Sequence, residues 1–268
     1  ALGIHYLPLQ VKCGDDEFLD GIDITVSQLY ARLKQGEMPT TSMPPLGRVE
    51  SLIETLKQEQ VEHVIAVPLS AGISSTSEMI QAAARRAELP LTVIDPYTTV
   101  NTQGYLALSA LKLAERGVEP AEIERRLKEC VDHSNTLLVP DDLQHLKRGG
   151  RLTPLAAALG SMLKIKPLLQ LNKQTEGRVD VLDKVRTMSR ALSRMADVAK
   201  SDGFDPEAYE MTVLDSEAEE GALQMIALLE EAFPGIQIHR SAICPVIASH
   251  TGMGVVAIQY VRKAEGIS

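Results

Sequence analysis

The chain has 268 residues, of which 44% are hydrophobic and 24% are charged, as is ordinary for a folded protein with one large or two modest domains. Its formal net charge of -9 argues against general nucleic-acid binding, because that binding uses a basic surface to neutralise phosphates. No apolar run reaches the roughly 18 residues of a membrane-spanning helix, and three widely separated cysteines indicate free thiols in a reducing cytoplasm.

The first half of the chain alternates strands with helices. Such alternation predicts a parallel α/β sheet, in which ligands lie at the carboxyl ends of the strands. We therefore expect an N-terminal α/β lobe over residues 1–145. Apolar and β-branched runs predict strands at 1–11, 61–69, 91–95 and 137–139, with an acidic turn at 14–17. Apolar residues at helical spacing predict helices near 26–33, 49–56, 79–87, 106–113 and 120–131.

From residue 146 the regular alternation of predicted strands and helices ends. Strands 165–171 and 178–185 are close enough in sequence to form a hairpin. We therefore expect a C-terminal α+β lobe over residues 146–268 with a mixed or antiparallel sheet, and a two-domain α/β fold for the whole chain. The remaining predicted elements are strands at 209–214, 236–243 and 255–260 and helices at 188–199 and 218–232.

The segment 146–153, LKRGGRLT, joins a helix end to a mostly apolar stretch that continues to residue 169. Gly149 and Gly150 permit a sharp change of backbone direction. The apolar stretch is either the wall of a site for an elongated apolar ligand or a core helix that follows an ordinary helix cap. The local pattern favours the core helix, and we assign Arg151 no catalytic role.

Two clusters of hydroxyl side chains precede predicted helices. Hydroxyls together with the free N–H groups of helix N-termini suit an anion, although N-capping explains any single hydroxyl equally simply. The sequence has no Walker motif, no GxGxxG after a strand and no lysine in either loop, so a carboxylate is favoured over a nucleotide phosphate. The clusters comprise Thr40, Thr41 and Ser42, and Ser70, Ser74, Ser75 and Thr76.

The six histidines form no HxxxH or HxH pair, so we expect no metal site. His250 lies in a glycine-flanked segment and either reaches the interface between the lobes or stands on an exposed loop. A serine hydrolase is the enzymatic alternative, with Ser74 or Ser70 as the nucleophile and His250 as the base. Its acid would be Asp95 or Asp215. Neither serine lies in a G-x-S-x-G elbow, which argues against this alternative.

Several segments together resemble the DegV family of fatty-acid-binding proteins, in the expected order and over essentially the whole chain. They are TTSMPP at 40–45, SAGISST at 70–76, VIDP at 93–96, the long segment from LKRGGR at 146 to IKPLL at 169, KVRT at 184–187 and SHTGMG at 249–254. The resemblance implies two lobes with a long-chain fatty acid buried between them. It also implies the lipid-presenting subunit of a bacterial fatty acid kinase in phospholipid metabolism. A separate ATP-binding subunit then phosphorylates the carboxylate.

The same resemblance implies particular residues. Thr41 and Ser74 would meet the fatty acid carboxylate, and His250 would belong to the same network. The family has a further N-terminal strand with an Asp-Ser loop, so we expect the N-terminal lobe to lack its first strand. This sequence departs from the family pattern at Met43, Ala71, Ser75 and Pro96, where the family commonly has Gln, Ser, Gly and Ser.

A pocket for the acyl tail should be apolar and largely free of aromatic side chains. Core packing is an equal alternative for each candidate in it. Beyond the bound lipid we expect no cofactor, and beyond the kinase subunit no partner other than transient contact with a membrane. The tail candidates are Ile73, Leu155, Leu159, Met162, Leu163 and Ile165.

Overall fold

The structure is a computed structural model that describes residues 3–158 and 165–267. Its strands form a three-stranded, a two-stranded and a six-stranded sheet. The strands are β1 (Gln10–Cys13), β2 (Asp16–Leu19), β3 (Thr40–Ser42), β4 (Val64–Ala66), β5 (Leu91–Val93), β6 (Ser134–Val139), β7 (Lys166–Leu171), β8 (Asp180–Val185), β9 (Tyr209–Ser216), β10 (Ile238–Ala242) and β11 (Val255–Arg262).

Local sequence signals explain where several helices begin. Thr25 and Gln28 form a capping box at the start of α1, and Pro120 occupies the first turn of α5, where its missing N–H is not needed. No helix within the described ranges is both long and apolar enough to span a membrane. The helices are α1 (Val26–Lys34), α2 (Leu46–Gln58), α3 (Thr76–Ala87), α4 (Val100–Glu115), α5 (Pro120–Asp132), α6 (Leu143–Arg148), α7 (Pro154–Ala158), α8 (Met188–Ser201), α9 (Glu219–Ala232) and α10 (Pro245–Thr251).

The fold combines parallel and mixed sheets, as the sequence predicts. Strands β4 and β5 are parallel, and the loops that follow them lead into α3 and α4. The six-stranded sheet has the order β10-β9-β11-β6-β7-β8. Its β9–β10 pair is parallel and its other pairs are antiparallel, including the predicted hairpin β7–β8.

Two predictions about the first half of the chain are wrong. Strand β6 does not join the parallel pair, because it hydrogen-bonds antiparallel to β11 and β7 in the six-stranded sheet. The first strand starts at Gln10 and pairs antiparallel with β2 and β3, and β2 begins inside the segment that the sequence predicts as an acidic turn. The boundary between lobes after residue 145 stays a prediction.

The six-stranded sheet is buried on both faces because successive side chains of a strand point to opposite sides. Leu137 of β6 and Val256 of β11 pack on one face against α8 and α9. Leu138 and Ala257, their neighbours in sequence, face the other side, where α1, α10 and the small sheet at β1 cover them. This second face forms one wall of the apolar cavity described below.

Candidate functional site

An apolar cavity of about 340 Å³ lies between the six-stranded sheet and segments of the N-terminal half. Its volume is in the range of small-molecule sites in proteins. The sheet contributes aliphatic side chains to the cavity wall, while β3, α10 and the loop after β4 contribute polar ones. The aliphatic wall on the sheet includes Leu138, Leu171, Leu214, Val255 and Ala257.

Thr41 and His250 meet at this cavity. Thr41 stands in the middle of β3, where it pairs with Val11 of β1, and His250 lies in the last turn of α10. The Thr41 Oγ1 and His250 Nε2 atoms are 2.6 Å apart, which is a hydrogen bond. His250 is therefore not on an exposed loop, and the structure brings it together with a hydroxyl from the first predicted cluster.

His250 is neutral at pH 7. Burial and, to a smaller extent, the positive charge of Arg151 lower its pKa to about 4, and a hydrogen bond with the Gly149 backbone opposes this shift in part. A neutral imidazole carries one N–H, which is either on Nε2 towards Thr41 or on Nδ1. The Nδ1 atom is buried and has no hydrogen-bond partner among the described residues.

Ser74 reaches the same cavity from the loop between β4 and α3. Its hydroxyl lies 2.8 Å from the Thr76 hydroxyl and accepts a hydrogen bond from the Thr76 N–H at 3.3 Å. The Ser74 N–H donates to the Ser70 carbonyl at 3.1 Å, so the loop is wound as a tight turn. When the Thr76 hydroxyl donates to Ser74, the Ser74 O–H hydrogen stays available for a further hydrogen bond.

The loop after β4 is fixed against the turn between β7 and β8. The buried Ser70 hydroxyl donates to the Gly177 carbonyl at 3.0 Å. Gly177 has a φ of +66°, and a Cβ atom there would lie 1.8 Å from Ser70 Oγ. A glycine is required at this position both by its backbone conformation and by the close approach of the two loops.

The double glycine that follows α6 has a clear structural role. A Cβ atom at Gly149 would lie 3.0 Å from His250 Nδ1, so the missing side chain lets α6 approach α10. Gly150 has a φ of +73° and turns the chain towards Arg151. His145 of α6 bonds the Ser249 carbonyl of α10 at 3.0 Å, which fixes the two helices together.

Arg151, to which the sequence pattern assigns no catalytic role, lines the cavity. Its Nη1 donates to the Gly149 carbonyl at 2.7 Å. No carboxylate within the described part of the chain pairs with the guanidinium within 4.0 Å. The guanidinium is therefore a cation without an ionic partner among these residues. It lies close enough to His250 to lower the pKa of that imidazole.

The predicted tail residues fall into three groups. Ile73 lines the cavity. Leu155 is 62% exposed, and both it and the half-buried Ile165 lie outside the cavity lining, so their placement counts against tail contacts there. The other three candidates lie outside the described residues: Leu159, Met162 and Leu163.

The structure does not assemble the alternative catalytic triad. The Asp95 carboxylate accepts hydrogen bonds from the backbone N–H groups of Ala71 and Tyr97. Asp215 pairs with Arg240. Neither reaches His250, whose Nδ1 would need a carboxylate partner in a triad. Within residues 3–158 and 165–267, no three side chains of His, Cys, Asp or Glu are grouped so as to hold a metal ion.

Comparison with known proteins identifies the family. The family model described as "Uncharacterised protein, DegV family" matches residues 1–263. The chain belongs to the DegV family. Protein DegV of Bacillus subtilis is 31% identical over 263 residues, which cover 97% of this chain and 92% of the relative.

Solved structures of DegV proteins have the same fold. The fatty acid binding DegV family protein from Streptococcus agalactiae has a TM-score of 0.89 at 31% identity, with 97% of this chain and 91% of that chain covered. DegV from Bacillus subtilis, a fatty acid binding protein, has a TM-score of 0.86 at 31% identity, with 98% and 93% covered.

Sequence reasoning missed most of the apolar lining of this DegV-family cavity. Leu138, Leu214 and Ala257 lie next to other apolar residues in consecutive positions, because both faces of the sheet are buried. An alternating pattern would have marked one face, but a continuous apolar run does not separate cavity residues from core residues. Arg151 was the one residue with an available signal, since an arginine next to two glycines in an apolar stretch is unusual.

Proposed function

We propose that this protein binds a long-chain fatty acid in the apolar cavity and presents the carboxylate to a separate ATP-binding kinase subunit. The observation that carries the proposal is the convergence of Thr41, Ser74, His250 and Arg151 on one cavity with aliphatic walls. Fatty acid binding by the similar proteins of S. agalactiae and B. subtilis supports it. The chain itself is non-catalytic in this proposal.

The aliphatic wall supplies most of the affinity. Each methylene removed from water contributes ~0.8 kcal/mol, and ordering the flexible chain offsets part of this gain. Among the described residues, no Phe, Tyr or Trp side chain lines the cavity. The lining therefore leaves space for an extended alkyl chain. A fatty acid is the simplest ligand that combines such a tail with one anionic group.

The polar side chains provide hydrogen bonds for the carboxylate. A proton on His250 Nε2 makes the imidazole the donor to Thr41, which leaves the Thr41 O–H for a carboxylate oxygen. The Ser74 hydroxyl serves the second oxygen, and the guanidinium of Arg151 offsets the negative charge. A buried carboxylate needs this set of partners, because it is costly to remove from water without them.

The exposure of the site fits presentation of the head group. Ser42 and Ser75, which line the cavity beside Thr41 and Ser74, are exposed, whereas Leu138 and Ala257 on the sheet are buried. The carboxylate would therefore face solvent while the tail is enclosed. In the proposed transfer, a carboxylate oxygen attacks the γ-phosphorus of ATP on the kinase subunit, and acyl phosphate and ADP form.

Mass spectrometry under denaturing conditions tests the binding step. Protein purified from cells should release a stoichiometric amount of long-chain fatty acid, and Ser74→Ala should retain much less while staying folded. An empty cavity together with esterase turnover that Ser74→Ala abolishes would instead establish the hydrolase. Transfer of labelled phosphate from ATP to the lipid, in the presence of a purified fatty acid kinase subunit, tests presentation.

A further inference from the structure

The cavity wall contains a polar patch apart from the carboxylate site. Thr136 of β6 and Gln259 of β11 are paired across the sheet, and Thr99 lies at the start of α4. All three line the cavity, and their exposed fractions are 6%, 2% and 8%. Buried polar groups next to an alkyl chain are costly unless their hydrogen bonds are complete, so each hydrogen of this patch needs an acceptor.

The amide of Gln259 has all of its capacity used by the protein. Its oxygen accepts the N–H groups of Asn101 and Thr102 at 3.0 and 3.2 Å, which satisfies the first turn of α4. Its nitrogen donates to the Thr99 carbonyl at 2.8 Å and to the hydroxyls of Thr136 and Thr98 at 3.0 and 3.2 Å. The Gln259 amide therefore has a structural role, which is to link β11 to the first turn of α4.

The threonine hydroxyls are not fully satisfied. Thr98 Oγ1 and Thr136 Oγ1 lie 2.6 Å apart, so one of their two hydrogens forms the bond between them. The other hydrogen has no acceptor among the described residues. Thr136 lines the cavity and Thr98 does not. If Thr98 donates to Thr136, the hydroxyl hydrogen of Thr136 is free to donate to a ligand in the cavity.

A second unused group lies next to this patch. The Thr102 hydroxyl oxygen is buried, with the residue 2% exposed, and it has no hydrogen-bond partner in the described chain. Its backbone N–H is one of the two that Gln259 accepts. Thr102 does not line the cavity, so a ligand there could complete only the hydrogen-bonding capacity of Thr136.

We propose that the cavity recognises an acyl chain that carries an oxo group along its length, with the ketone oxygen accepting the Thr136 hydroxyl hydrogen. The inference rests on the proposed fatty-acid binding and adds a ligand class to it. A ketone fits better than a hydroxyl, because Thr136 supplies a donor while its own oxygen already receives hydrogen bonds from Gln259 and Thr98. An unsubstituted tail would leave the donor unsatisfied.

Competitive loading tests the inference. The full chain is exchanged with an equimolar mixture of stearic acid, oleic acid, a hydroxystearic acid and a positional series of oxostearic acids, and retained lipids are quantified by mass spectrometry. One oxostearic isomer should be enriched about tenfold over stearic acid, as one added hydrogen bond allows. The other isomers should be depleted, because their ketones are buried without a donor.

Thr136→Val keeps the shape of the side chain and should abolish the enrichment while stearic acid is still retained. Thr136→Ser restores a hydroxyl and should restore the preference. Equal or weaker retention of every oxostearic isomer relative to stearic acid in the unaltered protein would overturn the inference. Preferential retention of oleic acid would overturn it as well, because the cavity would then select for the bend at the double bond of the acyl chain. Retention of no lipid at all would instead refute the proposed function.

Discussion

The Thr41 Oγ1 and His250 Nε2 atoms lie 2.6 Å apart, although the two residues are 209 positions apart in the sequence. The bond joins β3, which belongs to the small sheet at the N-terminal end, to α10, which immediately precedes the last described strand. This contact connects segments near the two ends of the described chain at one cavity. The geometry of the proposed head-group site therefore depends on how these segments pack together.

Replacement of Thr41 by valine should destabilise the protein and empty the site. The substitution keeps the side-chain shape but leaves His250 Nε2 without its partner, so the free energy of unfolding should fall by about 1–2 kcal/mol. Urea unfolding of lipid-free protein measures this change, and mass spectrometry measures the loss of lipid. Thr40→Val, at an exposed position of the same strand, is the matched control and should leave both quantities unchanged.

The stability of the lipid-free protein should fall as the pH is lowered below about 6.5. The pKa of His250 is about 4 in the folded protein, so the unfolded state binds more protons between these two values and protonation favours unfolding. The contribution of His250 is on the order of 3 kcal/mol, and most of it is lost by about pH 4.

Denaturant titrations at several pH values detect this dependence. His250→Gln should reduce this dependence, because the variant lacks the buried imidazole whose pKa differs between the folded and unfolded states. His63→Gln is the comparison, since His63 also bonds a threonine hydroxyl, that of Thr92 at 2.8 Å, but lies away from the cavity. An equal effect of the two substitutions would contradict the assignment.

Removal of the Arg151 charge should raise the pKa of His250. Burial is the larger cause of the low value, so Arg151→Gln should move the pKa upwards but leave it below the ordinary value. Titration of the imidazole proton signals by NMR measures the shift. Arg148→Gln removes a charge from an exposed residue that faces Asp142 and should leave the titration of His250 unchanged.

An added methyl group at Gly177 should be much more damaging than one at another glycine with positive φ. Gly117 has a φ of +72° and open space around it, so Gly117→Ala should cost about 1 kcal/mol from backbone strain alone. In Gly177→Ala the new Cβ atom would collide with Ser70 Oγ, and a loss above about 3 kcal/mol is expected. Equal losses in urea unfolding would show that the two loops separate freely.

The secondary structure could be predicted where the periodicity of apolar residues agrees with the residues that cap or interrupt an element. Helix α8, for example, begins after the capping residue Thr187 and buries one face, so its pattern is unambiguous. The pairing of strands was less accessible. Strand β6 ends in the apolar run Leu137–Val139, which resembles the parallel strands before it, and its place in the six-stranded sheet depends on β11, which lies more than a hundred residues later.

The candidate site was predictable only in part for a similar reason. The hydroxyls Thr41 and Ser74 carry a local signal, because each lies in a hydroxyl-rich cluster that precedes a helix in the sequence. The apolar wall has no such signal. Arg151 has a local signal in its position after two glycines, but its proximity to His250 depends on the turn at Gly150, which is a property of the assembled fold.

Strand β11 is near the end of the chain but lies inside the six-stranded sheet, hydrogen-bonded to β9 on one side and β6 on the other. During synthesis, the ribosome therefore releases both neighbours of this strand before the strand that joins them. Until β11 emerges, β6 and β9 each expose an unpaired edge and the cavity lacks a wall. The cavity is thus expected to be able to enclose a ligand only after β11 has been synthesised.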